Sequence, residues 1–404
     1  MPPALNRRKF LAWSGAAAVA AAGAGYGLDA LLRRAGTDPL PPGAGVLVVL
    51  TMYGGNDGLN TVIPAGDGAY QSARPDLAYA EDEVLPLAEG LGLNPGMPGM
   101  KALWDDHRLA IVRGVSYPKP DRSHFRSMDI WQSASPDQPD STGWLGRWLD
   151  HNGGDPLHAV SLDPVLPPML AGATTAGAAL PAAGVALPSG ALGTAFRAMG
   201  HPAPGEPVHQ STAARAIADL HRAATTLGPA LGDAPPAKGK GKRAAGQLAE
   251  ELDLVAACID LGAPSRVYSV SIGGFDTHTA ERATQQRLLA EVDGAVSGFL
   301  GRMADSDRGR NVVLVAYSEF GRRVAANANQ GTDHGTAGPV FVAGPSVRGG
   351  FQGAQPSLTD LTNGDLKPTT DFRDVYATLL AGVLGADPEP VLGPGRTTLP
   401  LLNS

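Results

Sequence analysis

Four short polar clusters carry the residue types that could do chemistry in this chain. They are Gly54-Gly55-Asn56-Asp57-Gly58, Gly273-Gly274-Phe275-Asp276-Thr277-His278, Ser318-Glu319-Phe320-Gly321-Arg322 and Gly331-Thr332-Asp333-His334-Gly335-Thr336. Carboxylates are hard ligands and imidazoles borderline ones, so together they suit a divalent metal. Asp276 and His278, two residues apart in one loop, could chelate a single ion. Alternatively, Asp276 or Thr277 caps the helix that starts near Glu281, which leaves His278 without a role. His334 could ligate metal, with Asp333 as a further ligand or as a support for an imidazole. Asp57 either points its carboxylate at a ligand or caps a helix after a Gly-Asn-Asp turn. Glu319 could ligate metal and Arg322 could grip an anionic substrate through its two-pronged guanidinium. A solvated Glu-Arg pair is the other reading of those two residues.

A fifth segment, Ser123-His124-Phe125-Arg126-Ser127-Met128-Asp129, reads as a helix start. The field of a helix N-terminus favours an alkoxide or a bound anion, so Ser123 could act as a nucleophile beside a metal. It could equally be a plain capping serine.

Buried strands must position these loops. Val46-Leu47-Val48-Val49-Leu50, Leu109-Ala110-Ile111-Val112, the run 267–272, Val312-Val313-Leu314-Val315-Ala316 and Pro339-Val340-Phe341-Val342-Ala343 are continuous apolar runs. Such runs mark strands covered on both faces. Between them, Leu288, Leu289, Val292, Val296, Phe299, Leu300 and Met303 fall on one face of a helix over 281–303. A second helix starts at Asp371 as N-cap, buries Val375, Leu379, Leu380, Val383 and Leu384, and stops at Gly385. Strand-helix alternation predicts an α/β fold with a mixed, mostly parallel central sheet flanked by helices on both faces. In such sheets ligands bind outside the carboxyl ends of the strands, where most of the clusters fall. Residues 164–262 differ: an aperiodic Gly/Ala/Pro-rich stretch, a helix over 213–226, a Lys-rich loop and a helix over 244–260 read as a mainly helical insertion.

Composition bounds the function. The 404 residues carry a net charge of −7, which gives no broad basic surface and argues against nucleic acid as a partner. The single cysteine, Cys258, cannot form an internal disulfide and sits in an apolar helical pattern, as a core thiol does. Arg7-Arg8-Lys9-Phe10-Leu11 precedes an Ala-rich apolar stretch, the pattern of a twin-arginine export signal or of a retained N-terminal anchor. The expected organisation is a signal or anchor over 1–32, a linker over 33–45 and one domain over 46–400. The implied partners are the export machinery and an anionic ester in the envelope. The expected location is periplasmic, envelope-bound or extracellular.

The phrases Tyr53-Gly54-Gly55-Asn56-Asp57-Gly58-Leu59-Asn60, Ser123-His124-Phe125, Gly274-Phe275-Asp276-Thr277-His278, Ser318-Glu319-Phe320-Gly321-Arg322 and Gly331-Thr332-Asp333-His334-Gly335 resemble the bacterial family called domain of unknown function 1501. That family is in turn similar to the alkaline phosphatase and sulfatase superfamily. The resemblance implies an alkaline-phosphatase-like fold with one or two metals at the strand ends. It implies Asp57 as a ligand after the first strand, Ser123 at the nucleophile position, Asp276 and His278 as an Asp-His pair, and His334 as a closing histidine. The superfamily has Asp-His where this chain has Glu319-Phe320, and His124 could supply the missing imidazole. The formylglycine motif Cys/Ser-x-Pro-x-Arg is absent, since Ser116-Tyr117-Pro118-Lys119-Pro120 lacks the arginine.

The sequence therefore predicts an exported metal-dependent hydrolase of a phosphate or related anionic ester. Its expected ligands are Asp57, His124, Asp276, His278, Glu319, Asp333 and His334 around Zn, Mn or Ca. Ser123 is the expected nucleophile, and Arg322 and Asn56 are expected on the anion. A non-catalytic envelope binding protein that keeps the fold is the alternative.

Overall fold

The computed structural model describes residues 39–180 and 246–403, with isolated positions at 35, 194, 198 and 199. The twin-arginine segment and the expected helix over 213–226 lie outside the described residues. Among the described residues no helix is long and apolar enough to cross a membrane.

Nine strands form the central sheet, and a two-stranded hairpin stands beside it. In chain order the strands are β1 (Val46–Met52), β2 (Leu109–Ser116), β3 (Ala159–Ser161), β4 (Ala178–Ala179), β5 (Val267–Ile272), β6 (Val312–Tyr317), the hairpin pair β7 (Arg322–Ala326) and β8 (Thr332–His334), then β9 (Gly338–Ala343), β10 (Gly350–Gln352) and β11 (Thr370–Asp371). The sheet order is β10-β2-β9-β6-β1-β5-β3-β4, with β11 also on β2. Every pairing is parallel except those of β9, which runs antiparallel to β2 and β6. The apolar runs are therefore strands, as their composition predicts, and the sheet is mixed and mostly parallel.

The main helices are α1 (Pro98–Asp105), α2 (His124–Ser133), α3 (Trp144–His151), α4 (Gln247–Asp260), α5 (Glu281–Asp305) and α6 (Phe372–Gly382). Strand alternation divides β1 between two cores. Val46, Val48, Leu50 and Met52 face α4 and α5, where Leu252, Val255, Leu289 and Val296 are buried. Leu47 and Val49 face α2, α3 and α6, where Trp131, Trp144, Trp148, Tyr376 and Leu380 are buried. Each fully buried Leu, Val or Phe side chain contributes about 1.5–3 kcal/mol, so covering both faces is what holds this sheet together.

The helix boundaries match the periodicity closely at α5 and less well at α6. Asp371 caps α6 by accepting from the Arg373 amide at 2.9 Å, but regular helix ends at Gly382. Val383 and Leu384 both donate to the Leu379 carbonyl, so the last turn widens to an i→i−5 bond before Gly385, which has φ +63°. Cys258 is buried on α4 and its thiol is pushed up to about 11 by that burial, consistent with a core role.

At its described ends the stretch 164–262 joins the main sheet. Ala178–Ala179 is an edge strand of the main sheet, and α4 covers that sheet through Leu248, Leu252, Val255 and Ile259.

Candidate metal centre

Because β1, β5 and β6 are parallel and in register, their carboxyl ends open on one edge. Met52 pairs with Ile272, and Thr51 with Tyr317. The loop after β1 then lies against the loop after β5. A Cβ on Gly54 would sit 2.5 Å from the Asp276 nitrogen, and Gly54 has φ +119°, so only glycine fits there. The β7-β8 hairpin closes the other side. A Cβ on Gly331 would lie 2.2 Å from the His278 carbonyl carbon, so the hairpin turn rests directly on the Asp276–His278 loop. Arg322 and His334 are cross-strand partners in this hairpin. Both reach Oδ1 of Asp276, Arg322 Nη2 at 2.8 Å and His334 Nε2 at 3.2 Å.

Three histidines surround Asp276, and each has its Nδ1 held. His124 Nδ1 donates to Glu319 Oε1 at 2.7 Å, His278 Nδ1 to Asp333 Oδ1 at 3.3 Å and His334 Nδ1 to the Arg122 carbonyl at 2.8 Å. A proton on Nδ1 leaves a lone pair on each Nε2. These lone pairs converge. His124 Nε2 lies 3.4 Å from Asp276 Oδ2, and His278 Nε2 lies 3.0 Å from Asp276 Oδ1. The Nε2 atoms of His278 and His334 are 3.0 Å apart. His124 Nε2 is buried without a hydrogen-bond partner.

Such an arrangement repels itself unless a cation sits among the donors. Four donors about 2.0–2.1 Å from a tetrahedral zinc lie roughly 3.3 Å from one another, close to the separations here. Donor atoms of His124, Asp276 and His334 all fall within 4.8 Å of each other. The residues therefore fit a divalent metal. Burial opposes ionisation of Asp276, but the Arg322 guanidinium hydrogen-bonded to it leads the groups that outweigh burial and bring the carboxyl down to about 2. Burial likewise lowers His334, which keeps its Nε2 available. Asp276 does not cap α5, because Ala280, at φ +45° and with no side-chain cap, precedes that helix.

Several expected roles change. Asp57 is not in this centre. It is fully buried in an ion pair with Arg74, whose Nη2 is 3.0 Å from Oδ1, and it caps the turn Gly58–Asn60. Burial works against the Asp57 carboxylate, but Arg74 holds it below the usual range. Asn56 does not face an anion either. Its side chain is buried against Thr61 and Gln285, at 3.0 and 3.1 Å. Arg322 has no side-chain exposure and so cannot grip a substrate. It donates to the carbonyls of Gly54, Gly55, Phe275 and Thr332 as well as to Asp276. Glu319 is not a direct ligand. Its carboxylate accepts from His124, the Gly54 amide and Ser318 Oγ, so it orients an imidazole. Asp333 does the same for His278. Ser123 stands exposed at the start of α2, and its hydroxyl makes no capping bond.

Glu319→Gln tests the supporting role. Losing the charge opposite His124 Nδ1 should weaken metal binding about 10–100-fold while the fold survives. Competition with a chelator at fixed pH measures this, and an unchanged affinity would assign Glu319 no part in the centre.

Sequence reasoning missed Arg74 and Glu281, since nothing local marks either. Glu281 opens α5 next to the Asp57-Arg74 pair, and its Oε2 accepts from the Thr332 hydroxyl. Burial and the Asp57 carboxylate push it up to about 9. An acid raised in the folded state contributes stability that is complete below its ordinary value of 4.5 and is lost as pH rises toward 9. Glu281→Gln mimics the protonated form. It should exceed the wild type in stability by on the order of 2 kcal/mol at pH 8, with the gain fading toward pH 4.5. Urea unfolding across that range decides it; a pH-independent difference would show that Glu281 is not the titrating group.

The chain is a mixed α/β protein with three histidines and the Asp276 carboxylate clustered at the strand ends. The profile of the family described as "Protein of unknown function (DUF1501)" matches residues 195–396, half of the chain, and the chain belongs to that family. Among solved structures it is similar to a protein in the alkaline phosphatase superfamily from Vibrio parahaemolyticus, at 11% identity over 92% of this chain and 77% of that one, with TM-score 0.43. It is also similar to the lipoteichoic acid synthase LtaP from Listeria monocytogenes, at 10% identity over 88% and 74%, with TM-score 0.36. A third is the C-terminal periplasmic domain of EcEptC from Escherichia coli in complex with Zn, at 12% identity over 75% and 76%, with TM-score 0.32. No curated protein matches the chain.

Proposed function

We propose that this protein is an exported metal-dependent hydrolase of a phosphate or related anionic ester. The observation that carries the reading is the convergence of three imidazole lone pairs on the Asp276 carboxylate at the open edge of the sheet. His124, His278, His334 and Asp276 would hold the metal, which supplies Lewis acidity toward an ester oxygen when bound. Nitrogen donors in the majority favour zinc or manganese over calcium. Glu319, Asp333 and the Arg122 carbonyl keep the imidazoles in the ligating tautomer. Arg322 keeps Asp276 ionised. Ser123, exposed beside His124 with a hydroxyl not engaged in capping, is the proposed attacking group.

The test is hydrolysis of nitrophenyl phosphate and nitrophenyl sulfate by the metal-loaded protein, with Ser123→Ala in parallel. A loss of about 100-fold or more in turnover fits a serine nucleophile, and a change below about threefold fits direct attack by water. One observation supports a second reading, that of a non-catalytic envelope binding protein. Arg322 and Asn56, the two groups expected on the anion, are both engaged inside the protein. Silence on every ester despite a stoichiometric metal would decide for that reading.

A further inference from the structure

The opposite edge of the sheet holds a second polar site. Among the described residues, every arginine except Arg108, Arg287 and Arg348 gives its guanidinium to a carboxylate or a backbone carbonyl. Two of those three, Arg108 and Arg348, line one open cleft of about 400 Å³ together with His107, Asp106 and Asn403. Among the residues lining the cleft, Arg108 and Arg348 stand with one carboxylate, Asp106. The cleft lies at the amino end of β2, whereas the metal centre lies beyond its carboxyl end. The eight residues of β2 put roughly 25 Å between them.

The cleft has a fixed frame. His107 sits at φ +57° just past α1, a position that favours glycine. A Cβ on Gly349 would come within 2.7 Å of the His107 Cα, so the loop carrying Arg348 is pressed against the His107 backbone. The Gly349 amide donates to the His107 carbonyl at 2.9 Å and the Gly344 amide to the Arg108 carbonyl at 3.1 Å. The Arg348 amide is tied to the Leu401 carbonyl at 2.8 Å. Both guanidiniums thus project from anchored backbone, which limits the ordering entropy lost when a ligand is gripped.

We infer that this cleft binds a tetrahedral oxyanion, phosphate or sulfate, through Arg108 and Arg348, with His107 as a third donor. Paired guanidiniums match the oxygen geometry of such anions. The volume also leaves space for a small carrier group. The competing account is that these cations only complement the carbonyl end of α1.

Titration calorimetry with inorganic phosphate at fixed ionic strength tests the inference on the full chain. His334→Ala serves as the background, so that phosphate binding at the metal centre does not contribute. Phosphate should still bind this background, and adding Arg348→Gln or Arg108→Gln should weaken it about tenfold or more. Glucose 6-phosphate forms a second arm. A tenfold gain over inorganic phosphate that is lost in the same variants identifies an organic ester as ligand, and equal affinities identify the free ion. The inference is overturned if His334→Ala abolishes all phosphate binding, or if both arginine variants bind as the background does. It is equally overturned if Arg108→Gln lowers stability with phosphate affinity unchanged, which is what a helix-end role predicts. Arg348 is exposed, so Arg348→Gln remains informative even if Arg108→Gln folds poorly.

Discussion

His334→Ala should emerge from dialysis against micromolar zinc with little bound metal, while the wild type keeps its ion. Structural zinc sites with four ligands bind with about 10–16 kcal/mol, or about 3 kcal/mol per ligand, so removing one donor weakens affinity by about 100-fold or more. His334 is only partly buried, and its Nδ1 contact to the Arg122 carbonyl is the main bond lost from the fold. The variant should therefore remain folded. Asp57→Asn gives the contrast. It leaves the Arg74 guanidinium buried without a charge partner, which costs about 3–5 kcal/mol. Its metal content should nevertheless match the wild type, because Asp57 faces Arg74 and not the histidines. Elemental analysis of both variants, with urea unfolding alongside, separates the two roles. A metal-free Asp57→Asn together with a metal-replete His334→Ala would reverse the assignment.

Arg322→Lys should destabilise the fold strongly although it keeps the charge. Arg322 ties the loop after β1, the loop after β5 and the hairpin strand β8 through four carbonyls, and adds a hydrogen bond to Asp276. An ammonium offers three donors from one point and cannot reach acceptors on all sides of a planar fork. At least two buried carbonyls would lose their donor, at about 1–3 kcal/mol each, so a loss of about 3 kcal/mol or more is expected. Asp276 would also move up from about 2 toward the ordinary carboxylate range, and metal affinity would fall with it. Arg323→Lys, on the half-buried neighbour whose guanidinium pairs with Asp365, should lose no more than about 1 kcal/mol. Urea unfolding of the pair is the measurement. An Arg322→Lys protein as stable as Arg323→Lys would show that the clamp contributes nothing.

The glutamate at 319 shows why a site can be located from sequence and still be given the wrong chemistry. Its position after a buried strand and its residue type both suit a ligand. In the fold, however, its carboxylate meets the Gly54 amide, 265 residues away in the chain, and the Nδ1 of His124. No spacing in the sequence encodes which face of that imidazole it touches. Arg322 misled in the same way, because a guanidinium beside a ligand loop reads as an anion grip until the carbonyls around it are known. His124 was recognisable mainly as a substitute for the histidine missing from the Glu319-Phe320 position, and the structure places its Nε2 3.4 Å from Asp276 Oδ2.

What the sequence determined by itself was the set of strands, their common edge and the loops gathered there. Continuous apolar runs form strands buried on both faces, and parallel strands in register must release their following loops at one edge. That is local chemistry repeated along the chain. The tertiary structure alone decided which carboxylate stands among the imidazoles. Asp57 and Asp276 both follow buried strands and glycines, and their neighbourhoods in sequence look alike. Asp57 is closed off by Arg74 within a buried ion pair, while Asp276 is half exposed and ringed by three Nε2 lone pairs. A carboxylate's role depends on the cation opposite it, and long-range packing chooses that cation.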